Sequence, residues 1–168
     1  MKRVLIAGAT GYLGSFAVQE FKKQGFWVRA LGRTPEKLET LKEFIDEPFV
    51  GEVTDRNSLS RICKDIDFVF SSIGITRQKD NLTFMDVDYQ GNKNLLEEAL
   101  REGTEKFIFV SVFNADNMKH LNNMKHLKGI QAKLRFEDEL KKSDMDLHSH
   151  MEKMEIAPQK KYWMECEE

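Results

Sequence analysis

Three glycines at intervals of three stand in the stretch GATGYLG (residues 8–14), between the apolar run VLIA and the helical pattern SFAVQEFKKQG. Each glycine inside a helix costs about 1 kcal/mol relative to alanine, so three glycines at this spacing indicate a role other than helix formation. In a strand–loop–helix unit, Gly8 permits the tight turn, Gly11 lets a pyrophosphate approach the backbone, and Gly14 lets the helix pack close to the strand. The amides of Tyr12 and Leu13, at the positive end of the helix, are the expected phosphate donors. A purely structural turn is the alternative.

Strand-like and helix-like segments alternate through the first two-thirds of the chain. Five short apolar runs, expected to be buried parallel strands, fall at residues 2–8, 26–33, 48–53, 67–74 and 106–113. Helical patterns occupy residues 13–25, 34–44, 56–63, 84–103 and 131–144. This alternation predicts an α/β fold, a doubly wound parallel sheet of the Rossmann type with right-handed crossovers and strand order 3-2-1-4-5.

The end of the second predicted strand bears on which dinucleotide is bound. An acidic residue there would accept hydrogen bonds from the ribose 2′-hydroxyl and select NAD. The chain has ALGRT instead, with no acid before Glu36. Arg33 offers a planar fork that suits a 2′-phosphate, and Lys37 follows one turn later. The sequence therefore favours NADP over NAD as the cofactor, the alternative being that Arg33 is a solvated loop residue.

Five segments in this order, GATGYLG, LGR, GEVTD, SSIG and KFIFVSVFNAD, resemble an atypical short-chain dehydrogenase/reductase of the NmrA-like, NAD(P)-binding group. The resemblance covers about residues 1–144 and implies a relationship to NADPH-dependent oxidoreductases. The family more often has aspartate where Glu52 stands. The cofactor-binding residues that the resemblance implies are Gly8, Thr10, Gly11, Tyr12, Leu13 and Gly14 for the pyrophosphate, Arg33 for the adenosine ribose phosphate, Glu52 and Val53 for the adenine, Ser71, Ser72, Ile73 and Gly74 for the ribose and nicotinamide, and Ser111 at the end of the fifth strand.

A Tyr-x-x-x-Lys pair performs the proton transfer in hydride-transferring members of the wider superfamily that this chain resembles. Tyr89 and Lys93 match the spacing, but they precede the fifth strand, whereas the family's pair follows it, and Tyr89 lies on the apolar face of its helix. Lys133 stands where the family's lysine is expected, and Gly129 occupies the place of the tyrosine. Lys133 is therefore the one catalytic candidate, with three roles open: a base, a ribose ligand or an exposed helix lysine. A non-catalytic, cofactor-sensing module is the alternative function.

The pattern weakens after the fifth strand. NMKHLN (residues 117–122) is repeated almost exactly as NMKHLK (123–128), and residues 145–168 show no sixth strand. The resembling proteins continue here with a substrate-binding region. We therefore expect an NAD(P)-binding domain over residues 1–144, an irregular tail over 145–168 and no substrate region, as in a truncated or frameshifted relative; reading the encoding DNA in its other frames tests this hypothesis.

Composition limits the classes of partner. A formal net charge of −2 argues against a nucleic-acid-binding protein, and no apolar run reaches the roughly 18 residues of a membrane span. Two cysteines give no disulfide framework, and the apolar run near the N-terminus is shorter than a secretion signal requires, so we expect a cytoplasmic protein. His120 and His126 are badly spaced for a shared ligand set, and no metal is expected. A small-molecule substrate and a homodimer contact along residues 125–142 stay open.

Overall fold

The computed structural model describes residues 1–75, 81–112, 124–143 and 145, with the side chains of the last helix described from residue 127 onward. Five parallel strands form one sheet in the order β3-β2-β1-β4-β5, which confirms the predicted α/β doubly wound topology. The strands are β1 (Arg3–Ala7), β2 (Trp27–Gly32), β3 (Glu47–Val50), β4 (Phe68–Ser71) and β5 (Lys106–Phe109).

The central strand β1 is buried on both faces of the sheet. Val4 and Ile6 pack into one apolar cluster, and Leu5 and Ala7 pack into another. Successive side chains of a strand point to opposite faces, so the two clusters are the two layers between sheet and helices. The sheet is therefore covered on both sides, as the continuous run VLIA predicts.

Helices and helical turns connect the strands. They are α1 (Tyr12–Lys23), α2 (Pro35–Glu39), a 3-10 helix (Arg56–Leu59), a π-helix (Met85–Gly91), α3 (Asn92–Arg101) and α4 (Met124–Lys142). The π-helix runs directly into α3 in place of the single α-helix that the periodicity predicts. None of the helices in the described part of the chain is long and apolar enough to cross a bilayer.

Several predicted element ends are wrong, for local reasons. The predicted helix at 34–44 ends at Glu39 and continues as turns, and Thr34 occupies the N-cap without a side-chain capping bond. The predicted helix at 56–63 is a short 3-10 helix, because the chain reverses through Arg61 and Asp65, which both have positive φ. Pro48 is tolerated in β3 because that strand lies at the edge of the sheet that the described residues form, where it pairs with β2.

Two aspartates fix the amino ends of the strands. Asp46, just before β3, accepts a hydrogen bond of 2.8 Å from the Val28 amide, and Asp67, just before β4, accepts one of 2.6 Å from the Arg3 amide. Burial opposes ionisation of Asp67, but the hydrogen bonds from the Arg3 amide and Lys2 hold its pKa below the ordinary value. These contacts stabilise the amino ends of the strands, at the opposite end of the sheet from the loops that follow the strands.

Most of the predicted tail lies outside the described residues, as do His120, His148 and His150. Its first residue, Met145, is buried against one of the two apolar clusters. Among the residues that the structure describes, no group of three or more histidines, cysteines and acids is arranged to hold a metal ion.

Candidate functional site

A cleft of about 310 Å³ opens at the carboxyl ends of the strands. Loops that follow β1, β2, β3 and β4 form its walls, which is where ligands bind in doubly wound sheets. Ten of the sequence-predicted site residues line it: Gly8, Thr10, Gly11, Arg33, Lys37, Glu52, Val53, Ser72, Ile73 and Gly74. The fold therefore gathers residues far apart in the sequence into one concave surface.

The glycine loop, residues 8–14, packs in a way that permits almost no side chain at two of its glycines. Gly8 has φ +83°, and a Cβ there would lie 2.9 Å from Ser72 Oγ. A Cβ on Gly14 would lie 2.0 Å from the Gly8 carbonyl oxygen, far inside contact distance. The start of helix α1 thus rests directly on the end of β1, as the spacing predicts.

Gly11 is different, because it is exposed and faces the cleft. A Cβ on Gly11 would meet only the Gly8 carbonyl, at 3.2 Å, and its own amide donates to that carbonyl at 2.9 Å. Gly11 is also the N-cap of α1, makes no side-chain capping bond, and no acidic residue follows in the first turn. The amides of Tyr12 and Leu13 begin the helix, so they have no acceptor within it.

The wall formed by the ends of β2 and β3 carries both signs of charge. Arg33 and Lys37 are exposed and line the cleft, and Glu52 faces Arg33 with 3.8 Å between Oε2 and the guanidinium. The side chains of Arg33 and Glu52 are 61% and 34% exposed. This wall can meet an anionic group without desolvating a buried charge.

Lys133 lies behind the opposite end of the cleft and is not an exposed helix lysine. Its Nζ is 3.6 Å from Asp88 Oδ1 in the π-helix, and it donates to the carbonyls of Ile73 and Val110 at 3.3 Å each. Burial lowers the pKa of Lys133, although Asp88 opposes the shift. Burial likewise raises the pKa of Asp88 against the attraction of Lys133 and the Ile75 amide.

Five other predicted residues do not line the cleft. Ser71 is fully buried and donates its hydroxyl to Asn92 Oδ1, so its side chain does not line the cleft. Tyr12 and Leu13 are absent from the lining of the cleft, and the Tyr12 ring is 72% exposed and stacks edge-on against Phe16. Gly14 lies beneath the loop. The Ser111 hydroxyl is buried and has no hydrogen-bond partner in the described part of the chain.

The Tyr89–Lys93 pair lies away from the cleft. The Tyr89 hydroxyl donates to Glu139 Oε1 and Lys93 donates to Glu139 Oε2, each at 3.3 Å. Tyr89 therefore links the π-helix to α4, and Lys93 links α3 to α4. At Gly129, the position of the family's tyrosine, a Cβ would meet the Phe84 ring at 3.1 Å. A larger side chain at residue 129 would require Phe84 to move.

Sequence reasoning missed five residues of the cleft: Leu31, Gly32, Gly51, Ile75 and Val87. Two of them carried a signal. Gly51 directly follows β3, as Gly8 directly follows β1, and Gly32 is the last residue of β2. A Cβ on Gly32 would lie 2.9 Å from Leu38, so this glycine also allows close packing of α2.

The cleft suits a nicotinamide dinucleotide. The bare backbone at Gly11, the helix start without an acid, and the cations Arg33 and Lys37 suit an anionic ligand such as a diphosphate. Such a cofactor supplies hydride chemistry when bound, while the chain supplies its binding and orientation.

Comparison with known proteins agrees with this geometry. Residues 8–148 match the NAD(P)H-binding family. The photosystem II assembly factor Ycf39 of Synechocystis is 34% identical over 113 residues, which are 67% of this chain and 34% of that protein. A 3 beta-hydroxysteroid dehydrogenase/Delta 5→4-isomerase of Mycobacterium tuberculosis is 27% identical over 117 residues, 65% of this chain and 31% of the enzyme. The chain spans about a third of the length of each.

Among solved structures, a putative NAD-dependent epimerase/dehydratase from Bacillus halodurans superposes with a TM-score of 0.74 at 25% identity. The superposition covers 87% of this chain and 67% of that one. The family match covers most of the chain and includes the glycine loop and the cleft. The chain therefore belongs to the NAD(P)H-binding family, as a Rossmann-type domain related to epimerases and reductases.

Proposed function

We propose that this domain binds NADP(H), with the diphosphate on the backbone amides of Tyr12 and Leu13. The observation that carries the proposal is the contact between Gly14 and Gly8, which seats the start of α1 on the end of β1. Gly11, exposed between them, leaves room for an anion to reach the backbone. Charge–dipole attraction and two unshared amide donors then favour a diphosphate at this point.

The preference for the phosphorylated dinucleotide rests on the end of β2. Arg33 and Lys37 line the cleft there, and the guanidinium fork can hold a 2′-phosphate by two parallel hydrogen bonds. No acid stands between Gly32 and Glu36 to accept a hydrogen bond from a ribose hydroxyl. Glu52 and Val53 would then flank the adenine, and Ser72, Ile73 and Gly74 the nicotinamide half.

A non-catalytic binding module is the second candidate, and one observation favours it. Gly129 has no ionisable group, and the Phe84 ring fills the space beside it. The Tyr89 hydroxyl is hydrogen-bonded to Glu139, and Tyr89 does not line the cleft. In this proposal Lys133 orients the nicotinamide half without a tyrosine to pass it a proton, and the domain reports cofactor occupancy to a partner.

Fluorescence titration with NADPH and NADH tests the binding proposal. The wild-type chain should give saturable binding that favours NADPH, and Arg33→Asp should remove that preference while leaving NADH binding in place. Lys23→Asp reverses a charge on α1 whose side chain is 80% exposed and away from the cleft, and it should leave the ratio unchanged. Absence of saturable binding by the wild-type chain would overturn the proposal.

A panel of carbonyl and enone substrates separates the two candidates. Consumption of NADPH that depends on the substrate and is lost in Lys133→Met supports an oxidoreductase. Saturable cofactor binding without turnover supports the binding module. A small-molecule substrate, a homodimer contact along helix α4 and a cytoplasmic location are further parts of this proposal, and they rest on the sequence.

A further inference from the structure

An acid and a cation from different strands face each other across one wall of the cleft. Glu52 Oε2 lies 3.8 Å from the Arg33 guanidinium, and both residues line the cleft. Arg33 follows the end of β2, whereas Glu52 follows the end of β3. The pair is therefore formed by the sheet and is not visible as a local motif in the sequence.

The Glu52 end of the pair is the better fixed. Its amide donates to Ser58 Oγ at 2.9 Å, and the same hydroxyl is 2.9 Å from its carbonyl oxygen. The Thr54 amide donates to Glu52 Oε1 at 3.4 Å, which leaves Oε2 toward Arg33. Arg33 is the more exposed partner, so it is the side chain that can exchange acceptors.

A phosphate and the Glu52 carboxylate would compete for the Arg33 guanidinium. An exposed ion pair contributes only about 0–1 kcal/mol, so Arg33 can leave Glu52 for a phosphate that carries nearly two charges. The Glu52 carboxylate would then stand close to that phosphate and repel it. A ribose with a free 2′-hydroxyl meets no such repulsion and can donate a hydrogen bond to the carboxylate.

We propose that Glu52 is a specificity-determining residue that weakens the preference of this site for a 2′-phosphorylated adenosine over one with a free 2′-hydroxyl. The proposal rests on the proposed function, since it needs the adenosine half of the dinucleotide in this cleft. Selection between the two adenosine ligands would then depend on Glu52, which follows β3, as well as on Arg33. Neutralising Glu52 should therefore strengthen binding of the phosphorylated ligand without strengthening binding of the other.

Calorimetric titration with adenosine 2′,5′-bisphosphate and with AMP tests this, because both probes lack the nicotinamide. Glu52→Gln should bind the bisphosphate about fivefold more tightly than the wild-type chain, with AMP binding unchanged or weaker. Glu52→Asp keeps the charge but withdraws it by one methylene, and it should raise the selectivity only part of the way. Glu39→Gln removes a charge from α2 outside the cleft and should leave both affinities as they are.

The outcomes separate the two proposals. If the wild-type chain binds neither probe, NADP(H) or NAD(H), the proposed function fails and this inference falls with it. If the wild-type chain binds but Glu52→Gln leaves the ratio of the two affinities unchanged, only this inference is overturned. An equal loss of both affinities would limit Glu52 to a contact with the adenosine that both probes share, without an effect on selectivity, and would also overturn it. Circular dichroism of each variant checks that the comparison is made on folded protein.

Discussion

The Lys133 ammonium lies 3.6 Å from Asp88 Oδ1, so that helix α4 is joined to the π-helix directly behind the cleft. The carbonyls of Ile73 and Val110, which follow β4 and β5, accept its remaining hydrogen bonds. An ammonium has three donors, and here three acceptors surround it. Contact with a nicotinamide ribose would therefore require Lys133 to give up one acceptor, and the carboxylate is 2% exposed and cannot turn to water.

Lys133→Met should lower the free energy of unfolding by about 3 kcal/mol at neutral pH, because it leaves the Asp88 carboxylate buried and unpaired. Lys133→Met combined with Asp88→Asn should recover most of that loss, since the charge is removed and an oxygen remains for the Ile75 amide. Urea unfolding followed by circular dichroism gives the two values.

The pH dependence distinguishes a charge effect from a packing effect at this pair. Burial raises the pKa of Asp88 in the folded chain, and loss of Lys133 removes an opposing attraction. A raised pKa means that the protonated acid favours the fold, an effect fully present below the unfolded pKa and lost as the pH rises through the folded pKa. The deficit of Lys133→Met relative to wild type should therefore shrink from pH 7 toward pH 4. A constant deficit, with no rescue by Asp88→Asn, would assign Lys133 a packing role only.

Two glycines of the same loop should respond differently to alanine. Gly14→Ala should destabilise the fold by about 3 kcal/mol, because its Cβ would lie 2.0 Å from the Gly8 carbonyl oxygen and the backbone must move. Gly11→Ala should change the free energy of unfolding by less than about 1 kcal/mol, since φ is −82° and the new Cβ meets one atom at 3.2 Å.

Gly11→Ala should nevertheless weaken NADPH binding about tenfold or more, because the methyl group would stand where the diphosphate approaches. Thermal unfolding and fluorescence titration of both variants measure the separation of stability from binding. Gly25→Ala is a control with positive φ but open space around its Cβ, so it tests backbone strain without a clash. Full NADPH affinity in a folded Gly11→Ala chain would place the diphosphate elsewhere.

The sheet order could be predicted from the sequence because it depends on local patterns repeated along the chain. VLIA marks the central strand, and each later apolar run is separated from the next by a connection of about a dozen residues or more, which is long enough for a crossover. The glycine loop could be predicted for the same reason, since the residues that form it are consecutive in the sequence. Ten residues of the cleft follow from these patterns and the family resemblance.

The remaining features of the site depend on contacts that no local pattern encodes. The partner of Lys133 is Asp88, which lies in a π-helix that an α-helical periodicity does not predict. Ser71 and Ser72 are consecutive, yet one is buried against Asn92 and the other lines the cleft, because Ser71 ends β4 and Ser72 begins the loop that follows. The Arg33–Glu52 pair forms only where β2 and β3 lie side by side.

Asp67→Asn should lower the free energy of unfolding by about 1–2 kcal/mol at pH 7, since a charge-assisted hydrogen bond to the Arg3 amide is replaced by a neutral one. The pKa of Asp67 is lowered in the fold, so its contribution is present above the unfolded pKa and is lost as the pH falls through the folded pKa. The difference between variant and wild type should therefore vanish in acid. The deficit of Lys133→Met also shrinks in acid, but there the cause is a carboxylate whose pKa is raised in the fold, whereas the pKa of Asp67 is lowered.

Chemical denaturation between pH 7 and pH 2 measures that difference for Asp67→Asn. Asp138→Asn, an exposed change on helix α4, is the matched control and should stay within about 0.5 kcal/mol of wild type throughout. A deficit of Asp67→Asn that persists at pH 2 would mean that side-chain packing, and not ionisation, stabilises the start of β1.

The Cys63 thiol should report both unfolding and cofactor binding. It is fully buried, and burial, reinforced by Glu98, raises its pKa to about 12, so the thiolate that reacts with alkylating or disulfide reagents is scarce in the folded chain. In a Cys166→Ser background, labelling at pH 8 should therefore proceed through opening of the fold.

NADPH at a hundred times its Kd should slow labelling about a hundredfold if the opening is global, because the ligand binds only the closed form. Labelling at the rate of a free thiol would contradict the burial of Cys63, and labelling that is slow but indifferent to NADPH would mean that the thiol becomes exposed by a local opening which leaves the cleft intact.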